Sequence, residues 1–194
     1  MKVLVSGFRG NTNSAKLIVD KIESKNGAEK LYLVNSFETS KNQLEDKLKN
    51  QEYDLIIAFG QRPNVGSINL EKKACIDGNE LITNYDYNKL EKLLENSGFS
   101  VEISNNAGKY LCNHIFYAGL MYISKNNLNT KMIFIHIPSI KNIENIDYLA
   151  TIFSKYIDQV DMEMKWLVDD EAIYLKTLGE LKRRDNHDSK RYFR

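Results

Sequence analysis

The sequence predicts an α/β protein, a three-layer α/β/α open sandwich built on a mainly parallel, mixed sheet. Three observations lead there. Short β-rich runs alternate with amphipathic stretches as far as about residue 160, the pattern of strands joined by crossover helices. Two of the runs, DLIIAFG (54–60) and MIFIHIP (132–138), are almost wholly apolar, as strands covered on both faces are. At 194 residues the chain can bury one substantial core and is short for two.

The elements follow in order. KVLVS (2–6) opens as a strand, and 13–24 reads as a helix with Asn13 or Ser14 at its start, residue types that cap helices through a side-chain oxygen. KLYLV (30–34) is the second strand and 40–50 a charged helix; DLIIAFG is the third strand. SINLEKKACI (67–76) reads as one further extended stretch. Residues 86–97 form an amphipathic helix with Leu90, Leu93 and Leu94 on one side and Gly98 as its stop signal. VEIS (101–104), a turn in SNNAG and a helix over about 110–124 come next. MIFIHIP ends at Pro138, and a helix spans about 143–158.

Residues 1–160 are expected to form the α/β domain. Residues 161–194 are expected to be a helical extension with a polar tail, not a separate domain. Trp166, Leu167, Tyr174, Leu178 and Leu181 make an apolar stripe on that extension, suited to core packing or to self-association into a homo-oligomer.

Composition excludes several classes. Lys and Arg number 27 against 26 Asp and Glu, a net charge of +1, so no overall field favours nucleic acid or an anionic membrane as partner. No apolar run approaches the roughly 18 residues a spanning helix needs. MKVLVSGF lacks the longer apolar stretch and cleavage site of a signal peptide, which points to a cytoplasmic location. With only Cys75 and Cys112, a disulfide framework is not expected and a free thiol is. Gly7 and Gly10 follow a strand, but no full glycine fingerprint and no Lys-Ser/Thr pair accompany them, so they make only a weak nucleotide-binding signal.

In sheets of this kind the functional loops gather at the carboxyl ends of strands. Three such ends stand out: SGFRG, GQRPN and the SNNAG that precedes Cys112. Cys112 falls at the start of a helix, where unsatisfied N–H groups and the dipole favour a thiolate and could hold an oxyanion. By position alone an inert buried cysteine is the commoner occupant. His136 interrupts an apolar strand where Val or Ile would be ordinary, and alone it reads as a satisfied structural histidine. His114 projects about 200° around the helix from Cys112 and is read as structural. His187 is read as solvated. Glu71, beside Lys72 and Lys73, reads alone as an exposed strand carboxylate.

Taken together these residues carry a resemblance. FSVEISNNAGKYLCNHIFY (99–117) is similar to the cysteine signature of pyroglutamyl peptidase I, through Ser104, Ala107, Gly108, Tyr110, Leu111, Cys112, Asn113 and Tyr117. Gly60, Gln61, Ile68, Glu71, Lys72 and Ala74 resemble its glutamate signature. Phe134, Ile135, His136, Ile137 and Pro138 resemble its histidine segment, and VLVSGF its opening strand. The three motifs occur in the family's order and cover roughly residues 1–160.

The resemblance implies a cysteine peptidase acting without metal or cofactor on a small peptide with a blocked amino terminus. It implies Cys112 as nucleophile, His136 as base and Glu71 as the carboxylate that orients the imidazole. Phe8, Tyr110 and Leu111 would line the pyroglutamyl pocket, and Gln61 would contribute backbone hydrogen bonds there. The sequence departs from the family at Arg9, Gly10, Asn11 and Thr12, where an aromatic and a glycine pair are expected. It also departs in the short CIDGNELITNYDY segment, which lacks the family's arginine and has Ile76 for an expected Asn, and at Lys73 and Asn106. Two alternatives follow from those departures: the same trio with another acyl specificity, and a catalytically weak binding or assembly module on the same fold.

Overall fold

The apolar runs become the centre of the sheet in a computed structural model of the chain, which describes residues 1–25 and 27–163. The strands among them are β1 (Val3–Phe8), β2 (Ala28–Leu33), β3 (Leu55–Arg62), β4 (Ile68–Glu71), β5 (Lys73–Ile76), β6 (Asn79–Ile82), β7 (Val101–Ser104) and β8 (Lys131–Pro138). The helices are α1 (Ser14–Lys21), α2 (Phe37–Asn50), α3 (Asn88–Asn96) and α4 (Leu111–Lys125), with α5 beginning at 146. Six strands form the main sheet in the order β2-β1-β3-β8-β4-β7. All its ladders are parallel except the one between β4 and β8, so the sheet is mixed and mainly parallel, as the sequence predicts.

Alternation along the central strands divides two cores. Leu4, Phe8, Ile56, Ala58, Met132 and Phe134 pack with Leu44 and Leu48 of α2 and with Ile115 and Phe116 of α4. The intervening positions turn to the other face, where Phe59 meets Phe153 of α5 edge-on with ring centroids 4.9 Å apart. Asn13 caps α1 on that face by accepting from the Ala15 N–H.

Two expectations need correction. Residues 67–76 are not one strand: the main sheet keeps β4, and beyond Lys72 the chain leaves it as β5 to pair antiparallel with β6. The turn between them is Asp77-Gly78, both with positive φ (50° and 78°), the conformation that suits a two-residue hairpin turn. That Asp-Gly pair was the signal for β6, which the sequence reading leaves unassigned. The last helix starts at 146 rather than 143, because Ile140–Asn142 take a 3-10 turn after β8.

The chain divides into two units, Met1–Asp158 and Gln159–Arg194. Of the second, 159–163 are helical, and the stripe expected at Trp166, Leu167, Tyr174, Leu178 and Leu181 lies outside the described residues. No helix among the described residues is long and apolar enough to cross a membrane.

Candidate active site

The site begins where the apolar pattern of the α2/α4 face runs out. Two residues beyond Ala58 on β3 stands Gly60; two beyond Phe134 on β8 stands His136, and the parallel ladder pairs them. On β4 the antiparallel register sets Glu71 opposite Phe134 and Asn69 opposite His136. Residues opposite one another in a ladder share a face. Gly60, His136 and Glu71 therefore look toward α4.

His136 Nδ1 lies 2.7 Å from Glu71 Oε1. Both side chains are buried, Glu71 completely and His136 to within 4%. A carboxylate only accepts, so in this bond Nδ1–H donates to Glu71 and Nε2 is left to face elsewhere. Arg62, at the end of β3, places Nη1 3.5 Å from the same Glu71 oxygen.

Cys112 is the second residue of α4 and reaches the same place from above the sheet. A Cβ added to Gly60 would stand 2.6 Å from Cys112 Sγ and 2.9 Å from the Phe134 ring, far inside contact distance. Only glycine at 60 lets the sulfur settle on the strand, next to His136 in the ladder. The turn before α4 is fixed locally: the Asn106 N–H donates to Ser104 Oγ (3.1 Å) and the Gly108 N–H to Asn106 Oδ1 (3.1 Å). Gly108 has φ +84°, which a side chain would resist. No side chain caps α4, so its first-turn N–H groups remain available around the thiol.

Those N–H groups do not leave the thiol ionised. Burial, then the negative charge of Glu71, pushes Cys112 up to about 12, against the smaller downward pull of its own backbone N–H and of Arg62. The sequence reading expects helix-end dipoles to favour a thiolate; desolvation of a half-buried sulfur beside a buried carboxylate outweighs them. At neutral pH that shift keeps the group a thiol.

Of the other residues expected at the pocket, Phe8 and Leu111 share with Cys112 the cluster on the α2/α4 face, while the Gln61 side chain and Tyr110 turn elsewhere. Phe8 is buried in the α2/α4-face cluster, and Leu111 packs against the same cluster. Gln61 points to the opposite face, where its Oε1 accepts from the Ser14 N–H (2.8 Å) and hydroxyl (3.2 Å) at the start of α1. Tyr110 is 80% exposed. It borders a cavity of about 440 Å³ with Phe37, Cys75, Ile76, Asn113 and His114.

Two residues not expected at the site are engaged there. The Asn113 carboxamide holds both backbone polar groups of Cys75, accepting from its N–H (2.9 Å) and donating to its C=O (2.7 Å), which ties the β5–β6 hairpin to α4. Arg62 is the other. It stands in the GQRPN end already singled out, on the face of Gly60, but its partner Glu71 arrives only through the β4–β8 pairing. Among the described residues no group of three or more His, Cys, Asp or Glu could hold a metal ion.

The sequence profile of the family described as pyroglutamyl peptidase matches residues 79–160. A pyrrolidone-carboxylate peptidase of Thermosipho melanesiensis is 33% identical over 171 residues, 71% of this chain and 83% of that protein. One of Brachyspira hyodysenteriae is 35% identical over 133 residues, 57% of this chain and 66% of its own length. The crystal structure of the pyrrolidone carboxyl peptidase of Fervidobacterium islandicum superposes with a TM-score of 0.73 at 18% identity, covering 84% of this chain and 99% of that one. A mutant of the Pyrococcus furiosus enzyme superposes at 0.71 with 23% identity, again over 84% and 99%. At such identities the superpositions speak to the fold.

Proposed function

This chain belongs to the pyroglutamyl peptidase family, and from that premise we propose that it removes an amino-terminal pyroglutamyl residue from small peptides by cysteine catalysis. The observation that carries the reading is the buried His136–Glu71 hydrogen bond of 2.7 Å, on the face where the Cys112 sulfur rests on Gly60.

In this reading His136 Nε2 takes the thiol proton as Sγ attacks the carbonyl carbon of the pyroglutamyl peptide bond. The imidazolium that forms is held by Glu71, which keeps Nδ1 protonated throughout. First-turn N–H groups of α4 receive the oxyanion. The tetrahedral intermediate breaks its C–N bond, the leaving amine takes the proton back from His136, and a thioester remains. Water, deprotonated by His136, attacks that thioester and releases pyroglutamate with Cys112 again a thiol. The raised thiol supports general-base removal of the proton over a resting ion pair. Free Cys75 and Cys112 suit the reducing cytoplasm in which such an enzyme would work.

A second reading keeps the trio but changes the acyl group. One observation favours it: Arg9, Gly10, Asn11 and Thr12, which follow Phe8, are all exposed and supply no ring to face it. One experiment decides between the two. Wild type and Cys112→Ser are incubated with a pyroglutamyl fluorogenic amide and with a thiol-directed probe. Turnover by wild type that is lost in the variant supports the pyroglutamyl reading. Labelling of Cys112 with no turnover of the amide rejects it in favour of a different acyl group.

A further inference from the structure

Glu71 is loaded unevenly. Its Oε1 faces both His136 Nδ1 at 2.7 Å and Arg62 Nη1 at 3.5 Å, while Oε2 is buried with no hydrogen-bond partner. The same Nη1 lies 3.3 Å from the Asn106 carbonyl oxygen and 3.5 Å from Asn69 Oδ1. One guanidinium nitrogen thus spans the end of β3, the carboxylate of β4 and the turn that feeds Cys112 into α4. We propose that Arg62 is a positioning residue that clamps Glu71 against His136 and anchors the Asn106 turn, thereby setting the pH range in which thiol and imidazole exchange a proton. The inference rests on the catalytic roles proposed above for Cys112, His136 and Glu71.

The charges around the carboxylate make the argument specific. His136 faces it from β8, Arg62 from β3, and Cys112 is near enough on α4 to feel its charge. Ser104 of β7 lies opposite it in the ladder. The Tyr87 hydroxyl, ahead of α3, donates to the Glu71 backbone carbonyl at 2.9 Å, not to the side chain. Glu102 of β7 is turned to the Asn69 amide (3.2 Å) and the Ser67 hydroxyl (3.3 Å). Arg62 is the fixed positive charge in that set. Without it, the negative field of Glu71 acts unopposed on both partners of the proton transfer. The imidazolium and the neutral thiol are then both favoured, so a higher pH is needed to reach the reactive protonation state. The planar fork matters as well, because an ammonium cannot hold several acceptors at such fixed angles.

The test uses the full chain in a Cys75→Ser background, so that only Cys112 labels, and compares Arg62→Met with Arg62→Lys. Arg62→Met should slow iodoacetamide alkylation of Cys112 at pH 8 about tenfold, the change one unit of lost electrostatic support predicts. On a pyroglutamyl amide its kcat should fall about 10²-fold with little change in KM, and the acid limb of kcat/KM should move up by roughly one pH unit. Arg62→Lys should restore the acid limb and recover only part of kcat. Unchanged alkylation together with an unmoved acid limb in Arg62→Met overturns the clamp, whatever happens to KM. If wild type fails to turn over the amide while Arg62→Met still slows alkylation, the assigned activity falls and the clamp stands. Should Arg62→Met not fold, Arg62→Lys decides: a lower kcat at an unmoved acid limb supports the clamp, and an unchanged kcat overturns it.

Discussion

The two faces of the central sheet are built from the same strands and do different work. Toward α1 and α5, β8 presents Ile133, Ile135 and Ile137, all fully buried, and β3 ends that face with Gln61 holding the start of α1. Toward α2 and α4, the same strands are equally apolar until Gly60 and His136, where a glycine and an imidazole replace the apolar side chains. One face closes on itself. The other ends at Gly60, where the Cys112 sulfur rests, with His136 paired to Gly60 in the ladder and hydrogen-bonded to Glu71. A one-residue change of position on β3 separates a helix anchor from the floor under the Cys112 sulfur. Strand period, more than sequence distance, thus decides which substitutions affect stability and which affect rate.

The sharpest test of that division is Cys112→Ser, expected to lower kcat/KM by about 10⁴ or more while leaving the thermal midpoint within a few degrees. Ile135→Ala, on the opposite face, should instead lower unfolding stability by about 3 kcal/mol in a denaturant titration, with kcat of the folded fraction intact. A comparable loss of kcat in Ile135→Ala would break the separation. Gly60→Ala drives a methyl into the sulfur and should reduce kcat about 10²-fold by moving the nucleophile off the imidazole, measurable in single-turnover kinetics. Gln61→Ala, next door but facing α1, should lower stability by only about 1 kcal/mol and leave kcat unchanged.

The smallest effect is electrostatic. The folded state holds Cys112 at about 12, above its unfolded value, so it binds that proton more tightly. The resulting stability is present in full below the unfolded thiol pKa and is lost as pH rises from there toward 12. Chemical denaturation across pH 9 to 11 should therefore weaken wild type more than Cys112→Ser. Equal weakening would show that the buried sulfur does not carry the alkaline sensitivity.

Much of this was legible in the residues. The apolar runs 54–60 and 132–138 could only be interior strands, and a lone histidine in such a run marks the point where packing yields to something else. Cys112 at a helix start was equally visible. Glu71 was legible only through the family resemblance, since beside two lysines it looks alone like a surface carboxylate; its complete burial follows from the antiparallel pairing of β4 with β8, which no local pattern announces. Arg62 was missed for the same reason. The direction of the thiol shift was misread because helix-end dipoles can be inferred from a turn, whereas desolvation depends on what the fold lays over the sulfur.

The Asn113 carboxamide grips both polar groups of one peptide at Cys75, and Asn113 is bonded directly to the residue that carries the sulfur. The β5–β6 hairpin is therefore a handle. Two hydrogen bonds thus fasten the strand that leads to the exposed Asp77-Gly78 tip onto the first turn of α4.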